Sequence, residues 1–226
     1  MWTLFFDIDG TLIKTGGAGM SAIAMAMMEL FGIEELPNVP VQGRTDYAII
    51  EDLFRPFSID VDENIYEFKR AYWALLPASL DERGGTVLPG VFELLELLLT
   101  RNDVAVGIVT GNTSRSAAIK LSHFGLDSYF RFGGYGDHDA DRNKVASLAK
   151  QSAFECLGEQ FNPEKMWVIG DTPNDICCAR SIGSKVVALE TGGCESEELR
   201  EANPDLLLSS LAENEAFVKH VFGSPN

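Results

Sequence analysis

Asp7 and Asp9 stand one residue apart at the end of an apolar run, in the stretch FFDIDGTLIKTGG at residues 5–17. Two carboxylates so placed repel each other and resist burial unless something positive lies between them. Three further segments end in groups that could join them. VTGN brings Thr110, Gly111 and Asn112, GDTPND brings Asp171 and Asp175, and DRNK brings Arg142 and Lys144. If these segments meet at one edge, carboxylates, a hydroxyl, an amide and a cation converge there. That set suits the transfer of a phosphoryl group. Mg²⁺ prefers oxygen ligands and keeps several waters, so it would offset the repulsion and hold Asp7 ionised. Asp7 could then attack phosphorus to form an aspartyl-phosphate. Asp9, set off from the metal by the two-residue step, could protonate the leaving oxygen and later activate water. Thr110, Gly111 and Asn112 are the candidate phosphate binders. Arg142 or Lys144 would meet the charge that spreads outward in the transition state.

The elements that must position these groups are legible as alternating patterns. Apolar runs at 2–8, 104–110, 129–135, 166–171, 185–190 and 205–209 read as strands, the first buried on both faces. Helical patterns at 91–101, 114–124, 143–157 and 174–182 lie between them, with Gly125 and Gly183 just past two of the ends. Such alternation predicts an α/β fold, a parallel sheet covered by helices on both faces. Ligands in such sheets bind beyond the carboxyl ends of the strands.

Residues 15–85 break the rhythm. Met20, Ile23, Ala24, Met27, Met28 and Phe31 share one helical face, and 45–54 is a shorter helix. Ile65, Phe68, Tyr72, Leu75 and Leu76 form a further stripe that Pro77 should end. The expectation is a core of residues 1–14 and 86–226 carrying an inserted, all-helical cap at 15–85. Gly16, Gly17, Gly84 and Gly85 near the connections should let the cap open and close. The methionines are read as core packing. In the cap, GRTD offers Arg44 for a second anionic group of a substrate. Thr45 is equally suited to N-cap the helix that follows. His123 should serve a helix terminus, and ETGG at 190–193 a tight loop beside the site.

Acidic residues outnumber basic ones 34 to 18, a net charge of −16, which disfavours nucleic acid and anionic membranes as partners. Cys156, Cys177, Cys178 and Cys194 lack metal-type spacing and read as reduced thiols. No apolar run approaches membrane length and the first residues carry no basic leader pattern, so a soluble, cytoplasmic protein is expected.

DIDGT at 7–11 resembles the first motif, D-x-D-x-T, of the haloacid dehalogenase superfamily. VTGN resembles its second motif, Arg142 or Lys144 its basic third, and GDTPND its acidic fourth, in the family's order and over essentially the whole chain. The insertion falls where that family carries a C1-type helical cap. LPGVFELLELL at 88–98 resembles the helix that re-enters the core in the phosphoglycolate phosphatase-like branch. The resemblance implies a Rossmann-like core, Mg²⁺ as cofactor, Asp7 as nucleophile and Asp9 as acid/base, with the Asp9 backbone carbonyl a further metal ligand. It implies Asp171 as the main fourth-motif ligand, with Asp175 close by or acting through water. Alignment by the following helix, with Leu148 as an apolar anchor, favours Arg142 over Lys144.

The leading expectation is a Mg²⁺-dependent phosphatase of a small phosphorylated metabolite, as monomer or homodimer. A phosphosugar mutase of the same superfamily and a non-catalytic phosphate-binding or switch module are the alternatives. A dehalogenase needs no metal and would leave Asp9 and the acidic fourth motif unexplained.

Overall fold

A computed structural model describes residues 1–223. The chain starts in β1 (Trp2–Phe6), turns through Gly10 into the short β2 (Ile13–Lys14), and leaves for three helices, α1 (Ala18–Phe31), α2 (Asp46–Phe54) and α3 (Val61–Arg83). It returns in β3 (Thr86–Val87), which pairs antiparallel with β2, so the ways out and back form one ribbon. There follow α4 (Val91–Leu99), β4 (Val104–Thr110), α5 (Ser114–His123), β5 (Gly133–Tyr135) and α6 (Arg142–Leu157). β6 (Met166–Gly170), α7 (Pro173–Ser181), β7 (Lys185–Leu189), α8 (Ser196–Glu201), β8 (Leu206–Leu208) and α9 (Asn214–Phe222) complete the chain.

β1 alternates its side chains between two hydrophobic clusters, with Leu4 and Phe6 in one and Phe5 in the other. α4, α5 and α9 cover the Leu4 face, while α6, α7 and α8 cover the Phe5 face. The sheet order is β5-β4-β1-β6-β7-β8 with every pairing parallel. The chain builds outward from β1 on one side through β4 and β5, then crosses to β6 on the other. The reversal therefore falls between β1 and β6, where an open parallel sheet leaves a crevice at its carboxyl edge. The α/β architecture, a Rossmann-like parallel sheet with helices on both faces, is the one the alternating pattern predicts. Among the described residues no helix is long and apolar enough to cross a membrane.

The inserted helices enclose a cluster of their own. Ala22, Ile23, Ala26 and Met27 of α1 pack with Ile50, Leu53 and Phe54 of α2 and with Phe68, Tyr72, Leu76 and Leu80 of α3. Several local expectations need correction. The buried face of α1 is turned toward its alanines, which let α3 approach closely, and Met28 is left 48% exposed. Pro77 does not end its helix, since α3 runs on to Arg83. A proline there loses one backbone hydrogen bond, but Leu76 and Leu80, both fully buried on either side of it, hold the helix together. The strand expected over 129–135 shortens to Gly133–Tyr135, because Asp127–Tyr129 form a 3₁₀ turn. α8 and α9 lie outside the helices that the periodicity predicts.

Candidate active site

The last residues of β1 and β6 deliver Asp7 and Asp171 side by side, and the Asp7 N–H donates to the Ile169 carbonyl at 2.9 Å. After Asp9 the chain must turn back on itself. Gly10 does this at φ +87°, and a Cβ there would fall 2.3 Å from Oδ2 of Asp171, so both backbone and space demand glycine. Thr11 then donates its hydroxyl to Oδ1 of Asp171 at 2.9 Å. Thr191 of the ETGG loop ties the same turn by donating to the Gly10 carbonyl at 2.6 Å.

Asp175 sits in the first turn of α7, fully buried, and forms a capping box with Thr172. Its Oδ2 accepts from the Asp171 N–H, the Thr172 N–H and the Thr172 hydroxyl at 3.2, 3.0 and 2.7 Å. Its Oδ1 accepts from Arg142. Arg142, the first residue of α6 behind the N-cap Asp141, is 8% exposed and places its guanidinium 3.0 Å from Oδ1 of Asp7 as well. Arg142 is thus clamped between the first-strand carboxylate and the helix that follows β6.

The electrostatics of this cluster are unbalanced. Burial pushes Asp7 up to about 7 against the pull of Arg142, with Asp175 and Asp9 adding repulsion. Burial likewise pushes Asp171 up to about 8, reinforced by Asp175 and Asp7 and opposed by the Thr11 hydroxyl and Arg142. Burial alone would lower Arg142, but Asp175 and Asp7 hold it raised. One guanidinium does not neutralise three buried carboxylates. Oxygens of Asp7, Asp171 and Asp175 lie within 4.8 Å of one another, and buried Oδ1 of Asp7 has the ion pair with Arg142 but no well-aligned hydrogen bond. This all-oxygen, electron-rich set fits a hard divalent cation. The Asp9 carboxylate is not part of the group. It turns to Asn112 and to Lys120, which the motifs do not single out.

Thr110, at the end of β4, is 1% exposed and accepts from the Asn112 side-chain amide at 2.9 Å. The same amide donates to Oδ2 of Asp9 at 2.7 Å. Gly111 lies against the insertion, where a Cβ would stand 1.9 Å from the Arg44 carbonyl oxygen. The Gly111 carbonyl accepts from the Asp46 N–H at 2.7 Å. Asp46, in the first turn of α2, also accepts from the Thr113 N–H and the Ser116 hydroxyl at 2.8 and 2.9 Å. Burial raises its pKa, with Lys120 the main opposing charge. Trp73 adds a bond from α3 to the Thr113 hydroxyl at 2.9 Å, so the insertion is fastened to the start of α5.

A cavity of about 490 Å³ opens between the sheet edge and the inserted helices, lined by Asp7, Asp9, Thr110, Gly111, Asn112, Lys120, Arg142 and Asp171 below. Met20, Ile23, Ile49 and Tyr72 line it above. Lys144, expected as one candidate cation, is not brought here. As the third residue of α6, it points its side chain outward, 65% exposed, and pairs with Asp139 at 2.6 Å. Thr45 is fully buried and N-caps α2, accepting from the Ala48 N–H at 3.1 Å. Arg44 reaches the cavity lining, but its guanidinium is paired with Asp52 at 2.5 Å. His123, at the end of α5, lies 3.7 Å from Asp81 and outside the cavity lining. All four cysteines are free thiols.

Comparison with known proteins follows the same lines. The haloacid dehalogenase-like hydrolase model matches residues 4–180. The phosphoglycolate phosphatase of Haemophilus influenzae is 31% identical over 236 residues, covering 92% of this chain and 94% of that protein. The phosphoglycolate phosphatase of Nitrosococcus oceani is 24% identical over 220 residues, 93% of each. Among solved structures, CbbY from Rhodobacter sphaeroides in complex with phosphate superposes with a TM-score of 0.74 at 19% identity, over 94% of this chain and 96% of that one. The chain belongs to the haloacid dehalogenase-like hydrolases, in their phosphoglycolate phosphatase-like branch. It is a phosphatase by class.

Proposed function

We propose that the chain hydrolyses a small phosphomonoester with Mg²⁺ through a phosphorylated Asp7. The observation that carries this reading is the buried set of Asp7, Asp171 and Asp175 around Arg142, at the sheet edge where β1 and β6 part. Asp7 and Asp171 would hold the ion. Asp175, its Oδ2 already taken by three donors, adds charge from behind and fixes Arg142. When bound, Mg²⁺ supplies positive charge that offsets the carboxylate repulsion and attracts phosphoryl oxygens.

The chain's own residues carry the steps. An Asp7 oxygen attacks phosphorus as the ester P–O bond breaks, and the electron pair leaves with the ester oxygen. Protonated Asp9 gives that oxygen its proton. Asp9 then takes a proton from the water whose oxygen bonds to phosphorus, and the bond to Asp7 breaks to release phosphate. Thr110 and the Gly111 turn bind phosphoryl oxygens, and Arg142 keeps Asp7 aimed while offsetting charge. The inserted helices act as the cap that closes over the substrate and shuts out bulk solvent while admitting the attacking water.

The test is phosphate release from p-nitrophenyl phosphate with Mg²⁺ and with EDTA, beside Asp7→Asn. Activity should vanish on chelation and fall by at least about 10³-fold in the variant. Undiminished turnover by folded Asp7→Asn would overturn the reading. Phosphoglycolate, named in the relatives, heads the panel of small phosphates to follow.

A further inference from the structure

The buried face of α5 carries Ser116, Ala117, Lys120 and Leu121. A lysine in such a stripe is costly unless a counter-charge and acceptors meet it. Lys120 is two turns from the start of α5, and helical side chains lean toward the N-terminus. That lean carries its ammonium back to the strand-end loop. Nζ donates to Oδ2 of Asp9 at 2.7 Å and to Oδ1 of Asn112 at 2.6 Å. Asn112 in turn donates to the same Oδ2 of Asp9 and to the Thr110 hydroxyl oxygen. The three side chains close a ring, and this double demand fixes which end of the Asn112 amide faces which neighbour. The ring is sealed on its protein side, for the Lys120 side chain is 5% exposed, but Asp9 remains 39% exposed toward the cavity.

We propose that Lys120 is a positioning residue for Asp9. With Asn112 it pins Oδ2, keeps the carboxylate away from the Asp7–Asp171–Asp175 group, and leaves Oδ1 as the oxygen that meets the ester. Oδ1 accepts no hydrogen bond among the described residues, so it is free for that proton transfer. The inference rests on the reading of Asp9 as the group that protonates the leaving oxygen. The lysine makes no bond to phosphorus and donates no proton to the product. It fixes the geometry in which the Asp9 proton passes to the ester oxygen as the P–O bond breaks.

A positioning role has a signature that a packing role lacks. Leaving groups that are poor bases depart without help, whereas strongly basic ones need the proton. Substituted phenyl phosphates vary leaving-group basicity at nearly constant shape, so kcat/KM across such a series reads the proton transfer directly. Lys120→Met should steepen that dependence. The kcat/KM ratio of p-nitrophenyl to phenyl phosphate should rise on the order of tenfold over the wild-type ratio. Lys120→Gln, which keeps a donor for Asp9 or Asn112, should lie between, and it serves as the test protein if Lys120→Met does not fold. Melting temperature and circular dichroism establish folding of each. Equal losses across the series in a folded variant would overturn the proposal and leave the phosphatase reading standing. Wild-type protein inert toward the whole series with Mg²⁺ would overturn both.

Discussion

At the sheet edge Asp7, Arg142, Asp171 and Asp175 are each under a tenth exposed and bound to one another across three chain segments. Across the same cavity the inserted helices present Met20, Ile23, Ile49 and Tyr72, with Arg44 already engaged by Asp52. The floor is a lattice of charge in which every group orients another. The roof presents mainly apolar side chains, and its charged members Asp46 and Arg44 are already paired. A change in the floor disturbs several partners at once, because buried charges cannot be left unpaired. A change at one of the apolar roof positions alters shape alone. Chemistry should therefore reside below and selection above, with few bonds between them, chiefly those of Asp46 and Trp73 to the start of α5.

The sharpest way to break this contrast is to remove the floor's guanidinium. Arg142→Met should lower kcat/KM on every substrate by on the order of 10²–10³-fold, the size of effect seen when one charge-stabilising donor is lost. Lys144→Ala, two residues along but outside, is its control and should stay within about twofold, as surface ion pairs carry little. Equal losses in the two variants would show that the clamp on Asp7 and Asp175 is not the determinant.

The second test uses the floor's charge imbalance. Asp7 and Asp171 are raised to about 7 and about 8 from an ordinary value near 3.8. Between these limits the folded, metal-free protein binds more protons than the unfolded chain, so these groups make stability fall as pH rises from about 4 towards 8. A cation that replaces those protons should stabilise more at high pH. The melting-temperature increase on adding Mg²⁺ is expected to be larger near pH 8 than near pH 5. An increase that shrinks with pH would contradict the assignment of the acidic group as the metal site.

The smallest effect belongs to the roof. Met20→Ala, at a half-buried position on α1 that lines the cavity, should shift the relative kcat/KM of large and small phosphomonoesters by about tenfold or less. Its turnover of p-nitrophenyl phosphate at saturation should remain within a few-fold of wild type. A fall in kcat as large as that of Arg142→Met would mean that the roof also orders the chemistry.

Much of the floor was legible because strand ends are fixed by pattern. An apolar run of period two must bury its side chains, so a carboxylate immediately after it is delivered to the carboxyl edge wherever the strand lies in the sheet. This is why the pattern alone brings Asp7, Thr110 and Asp171 together. Helix-borne residues were harder. Choosing between Arg142 and Lys144 depends on the helix phase at its first residue, which the N-cap Asp141 sets. Lys120 left a trace, a lone cation within the spacing of Ala117 and Leu121, but its partner lies 111 residues away. Pro77 misled because proline's local cost was outweighed by burial on both sides.

The sequence by itself determined the alternating α/β core and the order of the segments that reach the sheet edge. Local periodicity and residue chemistry are enough for each of these. Only the tertiary structure decided that Arg142 turns inward and Lys144 outward, that Arg44 is paired, and that Lys120 and Asn112 hold Asp9. Those outcomes depend on distances between segments far apart in the chain, and side-chain direction across such gaps is set by packing.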